Sequence, residues 1–304
     1  MQLSPLLFLL YINDIVDFVD DEGVLFADDA AFIIIAPTLQ QLYNKIKKLF
    51  SDLDNYLRSN KLVPNLKKSK LMFFNSRPKP ELEALRFGNE EIEWVEEYKY
   101  LGLFLNSKMS FSTHIEKVCT RVSQYIGVFH NLNKVLPKEI LLLLYHAFIL
   151  PHLTLHIVLW GAAPEVHIGK LKVKQNKLLR AILRVEIVNG VPQERTMNMY
   201  NSLGVLTVNY LFKLQLFKFL NLLLNGCLPN FYDLLLRPLI STDNYNTRSV
   251  GFRHPLVGCE VESRAIAHQL LVMKDELAPN LLEGPTIVRV LKNYKKFLLN
   301  EQHR

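Results

Sequence analysis

The chain has 304 residues, 49% hydrophobic and 21% charged, enough to bury about two or three cores and too apolar for a disordered chain. Its 36 Lys and Arg outnumber 29 Asp and Glu, and they are sorted: residues 1–35 hold no Lys or Arg and seven acids, leaving 22 acids against all 36 bases in residues 36–304. A basic body suits a polyphosphate partner, and a small acidic corner suits divalent cations. Cys119, Cys227 and Cys259 are widely spaced, odd in number and without CxxC or histidine spacing. They read as free thiols in a reducing, intracellular compartment, nuclear or cytoplasmic, with no zinc site and no disulfide-linked partner.

In chain order, Ser4-Pro5 reads as an N-cap followed by proline at the first helical position, opening a helix to about Asp21. Asn13, Asp17 and Asp20 make one polar stripe on an otherwise apolar rod, so most of this helix is expected to be buried, with Gly23 as its stop. The run Leu3 to Ile12 lacks a cationic start and a small-residue cleavage site, so it does not read as a signal peptide. Val24-Leu25-Phe26 and Ala30 to Ile35 then flank Ala27-Asp28-Asp29, the pattern of a tight hairpin with an acidic turn in an apolar setting. Leu39, Leu42, Tyr43, Ile46, Leu49, Phe50, Leu53, Tyr56 and Leu57 trace one face of a long helix, with Thr38 and Gln41 as a possible capping box. Leu71 to Phe74 reads as a strand, Asn75 to Pro80 as a loop, and Glu91 to Leu105 as short strands.

After about Ser112 the chain turns mostly helical, over His114 to Leu132, Pro137 to Leu150, Lys170 to Val185 and Val208 to Leu224. The run Ile140 to Trp160 has 21 residues without a formal charge, which is long enough to span a bilayer. Pro151, His146, His152 and His156 interrupt it, so a buried helix, a break and a second buried segment explain it better than a membrane protein. A polar loop is expected over Ser241 to Pro255, then a last helical stretch ending in Lys292, Lys295 and Lys296.

Adjacent carboxylates at a hairpin tip repel unless a cation or water intervenes, and side chains alternate along a strand, so Asp28 and Asp29 cannot both point into a core. A solvated Asp-Asp turn is the plain explanation; a magnesium site for phosphoryl chemistry is the sharp one. The surrounding order decides between them. Leu3-Ser4-Pro5-Leu6-Leu7-Phe8, Tyr11-Ile12-Asn13-Asp14 and Phe26-Ala27-Asp28-Asp29 together closely resemble the reverse transcriptases of non-LTR retrotransposons, the long interspersed elements of the jockey-like and related groups.

That resemblance implies that Ser4 and Pro5 belong to a motif lining the nucleotide and template site, and that Phe26, Ala27, Asp28 and Asp29 form a turn binding Mg2+, with Mn2+ possible. Asn60-Lys61-Leu62, Asn65 and Lys67-Lys68-Ser69-Lys70 resemble the next palm motif, in which Lys68 lies near the triphosphate and could protonate pyrophosphate, with Lys67 or Lys70 as substitutes. Tyr98-Lys99-Tyr100-Leu101-Gly102 is similar to the primer-grip motif, where Tyr100, Leu101 and Gly102 set backbone against the primer end; Gly102 fits a bend that a side chain would obstruct. Trp160-Gly161 and Gln175-Asn176-Lys177-Leu178-Leu179-Arg180 resemble the thumb and the helices after it; Thr247-Arg248 and Leu277 to Leu299 resemble the tail.

The implied fold class is α+β: a partial polymerase palm of helix, β-hairpin, helix and strand with the primer-grip turn over 1–111, a mostly α-helical thumb-like region over 112–190, and a helical carboxy-terminal region over 191–304. The implied partners are an RNA template, a DNA primer and deoxynucleoside triphosphates, and no membrane. His114, Arg121, Lys134, Lys172, Lys174, Lys177 and Arg180 are candidates for holding the duplex by its phosphates.

The sequence departs from the family in places. The Gln-Gly pair that normally precedes Leu3-Ser4-Pro5 is not represented by Gln2, and the strand with a third metal-binding aspartate, the fingers and an endonuclease domain have no counterpart in these residues. Tyr56, Asn106 and His156 stand where the family commonly has tryptophan, aspartate and tyrosine. The expectation is a truncated RNA-directed DNA polymerase, a carboxy-terminal fragment inactive alone. The alternative is a non-catalytic nucleic-acid-binding remnant.

Overall fold

A computed structural model describes residues 3–19, 22–74, 80–185, 187–188, 191–192, 196–228, 265–277 and 287–302. The expected Asn75 to Pro80 loop (save Pro80), the Ser241 to Pro255 loop, Thr247-Arg248 and Cys259 lie outside the described residues, as does part of Leu277 to Leu299. The chain divides into two compact units, Met1–Tyr98 and Lys99–Arg304, rather than near residue 111.

The first unit begins with α1 (Leu3–Ile12) and α2 (Ile15–Phe18), which replace the single helix expected to about Asp21. Strands β1 (Glu22–Phe26) and β2 (Asp29–Ile33) form an antiparallel hairpin with Phe26 opposite Asp29. Helix α3 (Leu39–Ser59) follows, capped as its sequence requires: Thr38 Oγ1 accepts from the Gln41 amide at 3.3 Å. Its apolar face buries Tyr43, Ile46, Leu49 and Tyr56. One cluster joins Ile12, Ile15 and Tyr56 with Phe8, Leu25 and Leu53, so the hairpin is fastened to the helices through Leu25. A second joins Tyr43, Ile46 and Leu85 with Ile34, Leu71 and Trp94.

Three expectations for this unit are corrected. Helix α1 is not mostly buried: Leu3, Leu6, Leu7 and Leu10 are more than half exposed, because the helix is apolar all round while only its Phe8 and Ile12 edge meets α3. Gly23 does not stop a helix but lies in β1, where a Cβ would stand 2.9 Å from Val16 Cγ1 and 3.1 Å from the Phe32 ring. Leu71 to Phe74 forms no strand; Leu71 makes an isolated parallel bridge to Trp94, beside the hairpin of β3 (Leu85–Phe87) and β4 (Glu90–Ile92).

The unit boundary falls inside β5 (Glu97–Tyr100), which pairs with β6 (Leu103–Asn106). The second unit is then mainly helical: α4 (Ser112–Leu132), α5 (Lys138–Leu144), a π-helix (Tyr145–Ile149), α6 (Leu150–Thr154), α7 (Ile157–Trp160) and α8 (Glu165–Leu183). After a two-residue ladder between β7 (Ile187–Val188) and β8 (Val191–Pro192) come α9 (Thr196–Leu203), α10 (Val208–Leu224), α11 (Ile266–Glu276) and α12 (Ile287–Gln302). One continuous core runs through them. Helix α4 contributes Ile115, Val118, Val122 and Phe129, and α8 contributes Ile168, Leu171, Leu178, Leu179 and Ile182, both at helical spacing.

The segment Ile140 to Trp160 is broken as its proline and histidines suggest, though not where a single Pro137 to Leu150 helix would end. Pro151 offers no amide hydrogen to the turn before it, and the backbone there widens so that the Leu150 amide reaches back to the Tyr145 carbonyl. A second break follows at His156, whose φ is 54°. Among the described residues no single helix is long and apolar enough to cross a membrane; only α9 and α10 together pass by length and composition, bent by 45°. Their residues Tyr200, Leu211, Phe217 and Leu220 lie in the core.

Two positions in this core are tightly specified. A Cβ on Gly161 would fall 2.3 Å from the Phe212 ring and 2.6 Å from the Ile157 carbonyl, so Gly161→Ala is expected to cost about 2 kcal/mol by overpacking, read as a lower urea midpoint. Gln175 sits at an apolar-stripe position of α8, fully buried, with every polar atom used. Its Nε2 donates to Tyr145 Oη at 3.0 Å and to the Leu206 carbonyl at 2.9 Å, and its Oε1 accepts from Tyr200 Oη at 3.0 Å and from the Val208 amide at 3.2 Å. Gln175→Leu is expected to cost ~3 kcal/mol or more in the same denaturation experiment, because it strands several buried groups at once.

Candidate active site

In the first unit the two aspartates occupy a two-residue hairpin loop and its edge. Ala27 and Asp28 form the loop, and Asp29 opens β2. Ala27 takes a φ of 54°, the left-handed conformation such tight loops demand at their first position and one that favours glycine. Phe26, Ala27, Asp28 and Asp29 are all exposed, which corrects the expected apolar setting: the loop projects beyond the cluster that holds Leu25. Ser4 and Pro5 lie exposed on α1.

Asp14, which the sequence offered only as part of a motif, has a defined structural partner. Tyr56 donates from its phenol to Asp14 Oδ1 at 2.5 Å, and Tyr11 donates to the Asn60 carbonyl at 2.6 Å, locking the α1–α2 junction to the end of α3. Burial, then the Asp14 carboxylate, pushes the Tyr56 phenol up to about 12. A tryptophan at position 56 could donate an N–H in the same sense, but at a different reach. The signal available in the sequence was the tyrosine itself, a polar tip on an otherwise apolar stripe.

Lys68 sits on a turn closed by Asn65, whose carbonyl accepts from the Lys68 and Ser69 amides at 3.1 Å, while Tyr98 Oη donates to the Lys68 carbonyl at 2.9 Å. The Lys67 and Lys68 side chains are exposed. Lys70 instead pairs with Glu93 at 2.7 Å. The backbone of this turn is thus well held, while its lysine heads reach solvent.

The second unit holds the other candidate turn. Leu101 and Gly102 join β5 to β6 with φ of 46° and 89°, both positive, the two-residue loop whose twist matches that of the strands. Gly102 is required for that conformation and not for close approach, since its Cβ would meet only Leu155 Cδ2 at an ordinary 3.5 Å. The turn is tied down from behind by two histidines. His156 Nε2 meets the Leu101 carbonyl at 2.9 Å, so that nitrogen carries the proton. His114 Nδ1 accepts from the Phe104 amide at 3.4 Å, while its Nε2 is buried with no hydrogen-bond partner among the described residues. His114 is 3% exposed between Phe104 and Trp160, so it cannot serve as the phosphate contact expected of it. Of the other basic candidates, Arg121, Lys134 and Lys177 are exposed, Lys174 and Arg180 are half-buried, and Lys172 pairs with Glu165 at 2.5 Å.

Among the described residues no group of three or more His, Cys, Asp or Glu side chains converges as metal ligands. The donor set at the hairpin is two adjacent, exposed carboxylates, hard oxygens of the kind that magnesium and manganese take in company with phosphate and water.

With that geometry in view, the likenesses to known proteins become specific. Over 192 residues, 59% of the chain, it is 24% identical to the RNA-directed DNA polymerase from mobile element jockey of Drosophila melanogaster. Over 90 residues, 28% of the chain, it is 32% identical to the protein of the same name from Drosophila funebris. The matched stretches span 21% and 10% of those relatives' lengths. No protein-family model and no solved structure matches the chain. The likeness is thus to jockey-like reverse transcriptases of non-LTR retrotransposons.

Burial, and after it His156, pushes the His114 imidazole down to about 4, below its ordinary 6.5; Lys99 and Lys117, each 5.8 Å from the centre of the Phe104 ring, add positive charge nearby. The unfolded chain therefore takes up a proton at a pH where the folded chain does not. Stability from this group is full above about 6.5 and falls as pH drops towards about 4, by roughly 1.4 kcal/mol per pH unit at most. Urea midpoints between pH 7 and 4 are expected to show that slope, and His114→Phe, which keeps the ring packing, to flatten it.

Proposed function

We propose that this chain carries part of the palm and the thumb of a jockey-like reverse transcriptase, acting on an RNA template, a DNA primer and deoxynucleoside triphosphates. The observation that carries this reading is the pair Asp28 and Asp29, presented by a two-residue hairpin loop between Phe26-Ala27 and β2, in the motif order the family uses. Asp28 would be the principal ligand of Mg2+, or of Mn2+ in its place, and Asp29 the second. Bound there, the ion would neutralise phosphate charge and lower the barrier to nucleotidyl transfer.

The chain's own residues have separate tasks in this reading. The exposed Lys68, with Lys67 or Lys70 as substitutes, lies on a turn rigid enough to aim a lysine at a triphosphate and pass a proton to pyrophosphate. The pairing of Lys70 with Glu93 makes it the weakest of the three. Tyr100, Leu101 and Gly102 would support the primer end with backbone, the His156 bond to the Leu101 carbonyl holding the turn in place. Arg121, Lys134, Lys174, Lys177 and Arg180 would take duplex phosphates, giving affinity that falls with salt and reads little sequence.

Two carboxylates are too few to hold both ions of a two-metal site, and no third converges on them among the described residues. That favours a second reading, a nucleic-acid-binding remnant without turnover. Both readings are tested together. The 304 residues are expected to bind an RNA–DNA hybrid in a salt-sensitive way and to show no magnesium-dependent primer extension alone. Extension is expected when they are joined to a polypeptide supplying the third carboxylate, and Asp28→Ala should then lower it by at least about a hundredfold while leaving hybrid affinity unchanged. Extension that survives Asp28→Ala would overturn the catalytic assignment, and extension by the chain alone would overturn the remnant reading.

A further inference from the structure

The π-helix presents His146, Ala147 and Phe148 to solvent between the buried Tyr145 and Ile149. Phe148 is 50% exposed. Its ring stacks beside Tyr125 of α4, with centroids 6.4 Å apart and planes inclined by 28°, and the His152 ring of α6 lies 6.2 Å from that of Tyr125 at 36°. Tyr125 is half-buried and packs on the core beneath, so the three rings form a ledge with a fixed floor and an open edge.

A cation stands beside this ledge: Arg121, exposed one turn before Tyr125 on α4, is the charged group acting on His152. Partly exposed rings beside a cation match a partner that offers flat apolar faces and anionic links in alternation. Duplex bases are already stacked and hide their faces; unpaired bases do not.

We propose that Tyr125, Phe148 and His152 form a stacking platform for unpaired bases of a single-stranded nucleic acid, with Arg121 taking its phosphates. The proposal rests on the nucleic-acid reading above and adds to it a site for strand outside the hybrid.

The test is fluorescence anisotropy of the 304-residue chain with labelled probes of about 12 nucleotides: oligo-dT, oligo-U, an abasic strand of equal charge, and a blunt duplex. Phe148→Ala is expected to weaken oligo-dT, oligo-U or both by about tenfold while moving the abasic strand and duplex less than about twofold. Tyr125→Leu, which keeps an apolar group on the core, should act in the same direction, and Arg121→Gln should weaken every probe including the abasic one. Whichever of oligo-dT and oligo-U loses more identifies the strand as DNA or RNA. An equal loss for the abasic strand, or no loss for either base-bearing strand, overturns the platform while leaving hybrid binding intact. Failure to bind any of the four probes at low salt overturns the nucleic-acid reading itself.

Discussion

The helical unit depends on one buried amide. Gln175 occupies a place on α8 where periodicity calls for a leucine, and burying an amide there is tolerable only if each donor and acceptor finds a partner. All of them do: the π-helix through Tyr145, α9 through Tyr200, and the α9–α10 connection through Leu206 and Val208. The same connection is held from its other side by Gln302 of α12, whose Oε1 accepts from the Thr207 amide and whose Nε2 donates to the Val205 carbonyl. Two glutamine side chains thus do for an irregular segment what a strand ladder does for a sheet. They satisfy its backbone and fix its position, and the apolar core supplies the driving force around them.

Other constraints in this unit act at its edges. Asn133 at the end of α4 donates from its side-chain amide to the Ala181 carbonyl of α8, and Arg184 binds back to the Asn133 side chain and carbonyl at 2.6 and 2.5 Å. Long helices packed in parallel can slide by a turn at little cost in apolar contact; directional bonds at their ends remove that freedom. The turn at Leu101 and Gly102 inherits this rigidity through His156 and His114, which come from the break before α7 and from the start of α4.

The first unit is organised differently. Its sheets are separate two-stranded hairpins, and small hydrophobic clusters hold them to α3. The polar lock of Tyr11, Asp14, Tyr56 and Asn60 fixes the junction of α1 and α2, the point where an isolated helix would fray. Much of the apolar surface of α1 faces water beside an acidic loop that also faces water. The two carboxylates stand in the open, where water can solvate both and their mutual repulsion costs less than it would in a buried site.

What the sequence by itself determined was local. Helix α3 with its Thr38 cap, helix α10 to the residue, and the hairpin around Asp28 and Asp29 follow from period, capping and turn chemistry, which act between neighbours in the chain. The motif order from Leu3 to Gly102 was likewise legible, and the resemblance rested on it. The tertiary structure alone decided what each residue faces. Periodicity could mark α1 as apolar but not show that little covers it; it could mark Gln175 and His114 as polar but not place them in the core; and it could not foresee a π-helix, because that arises where Pro151 denies an amide to a helix already held by Tyr145 and Ile149. Burial and partner choice depend on residues far apart in sequence, so they are settled only when the chain has closed on itself.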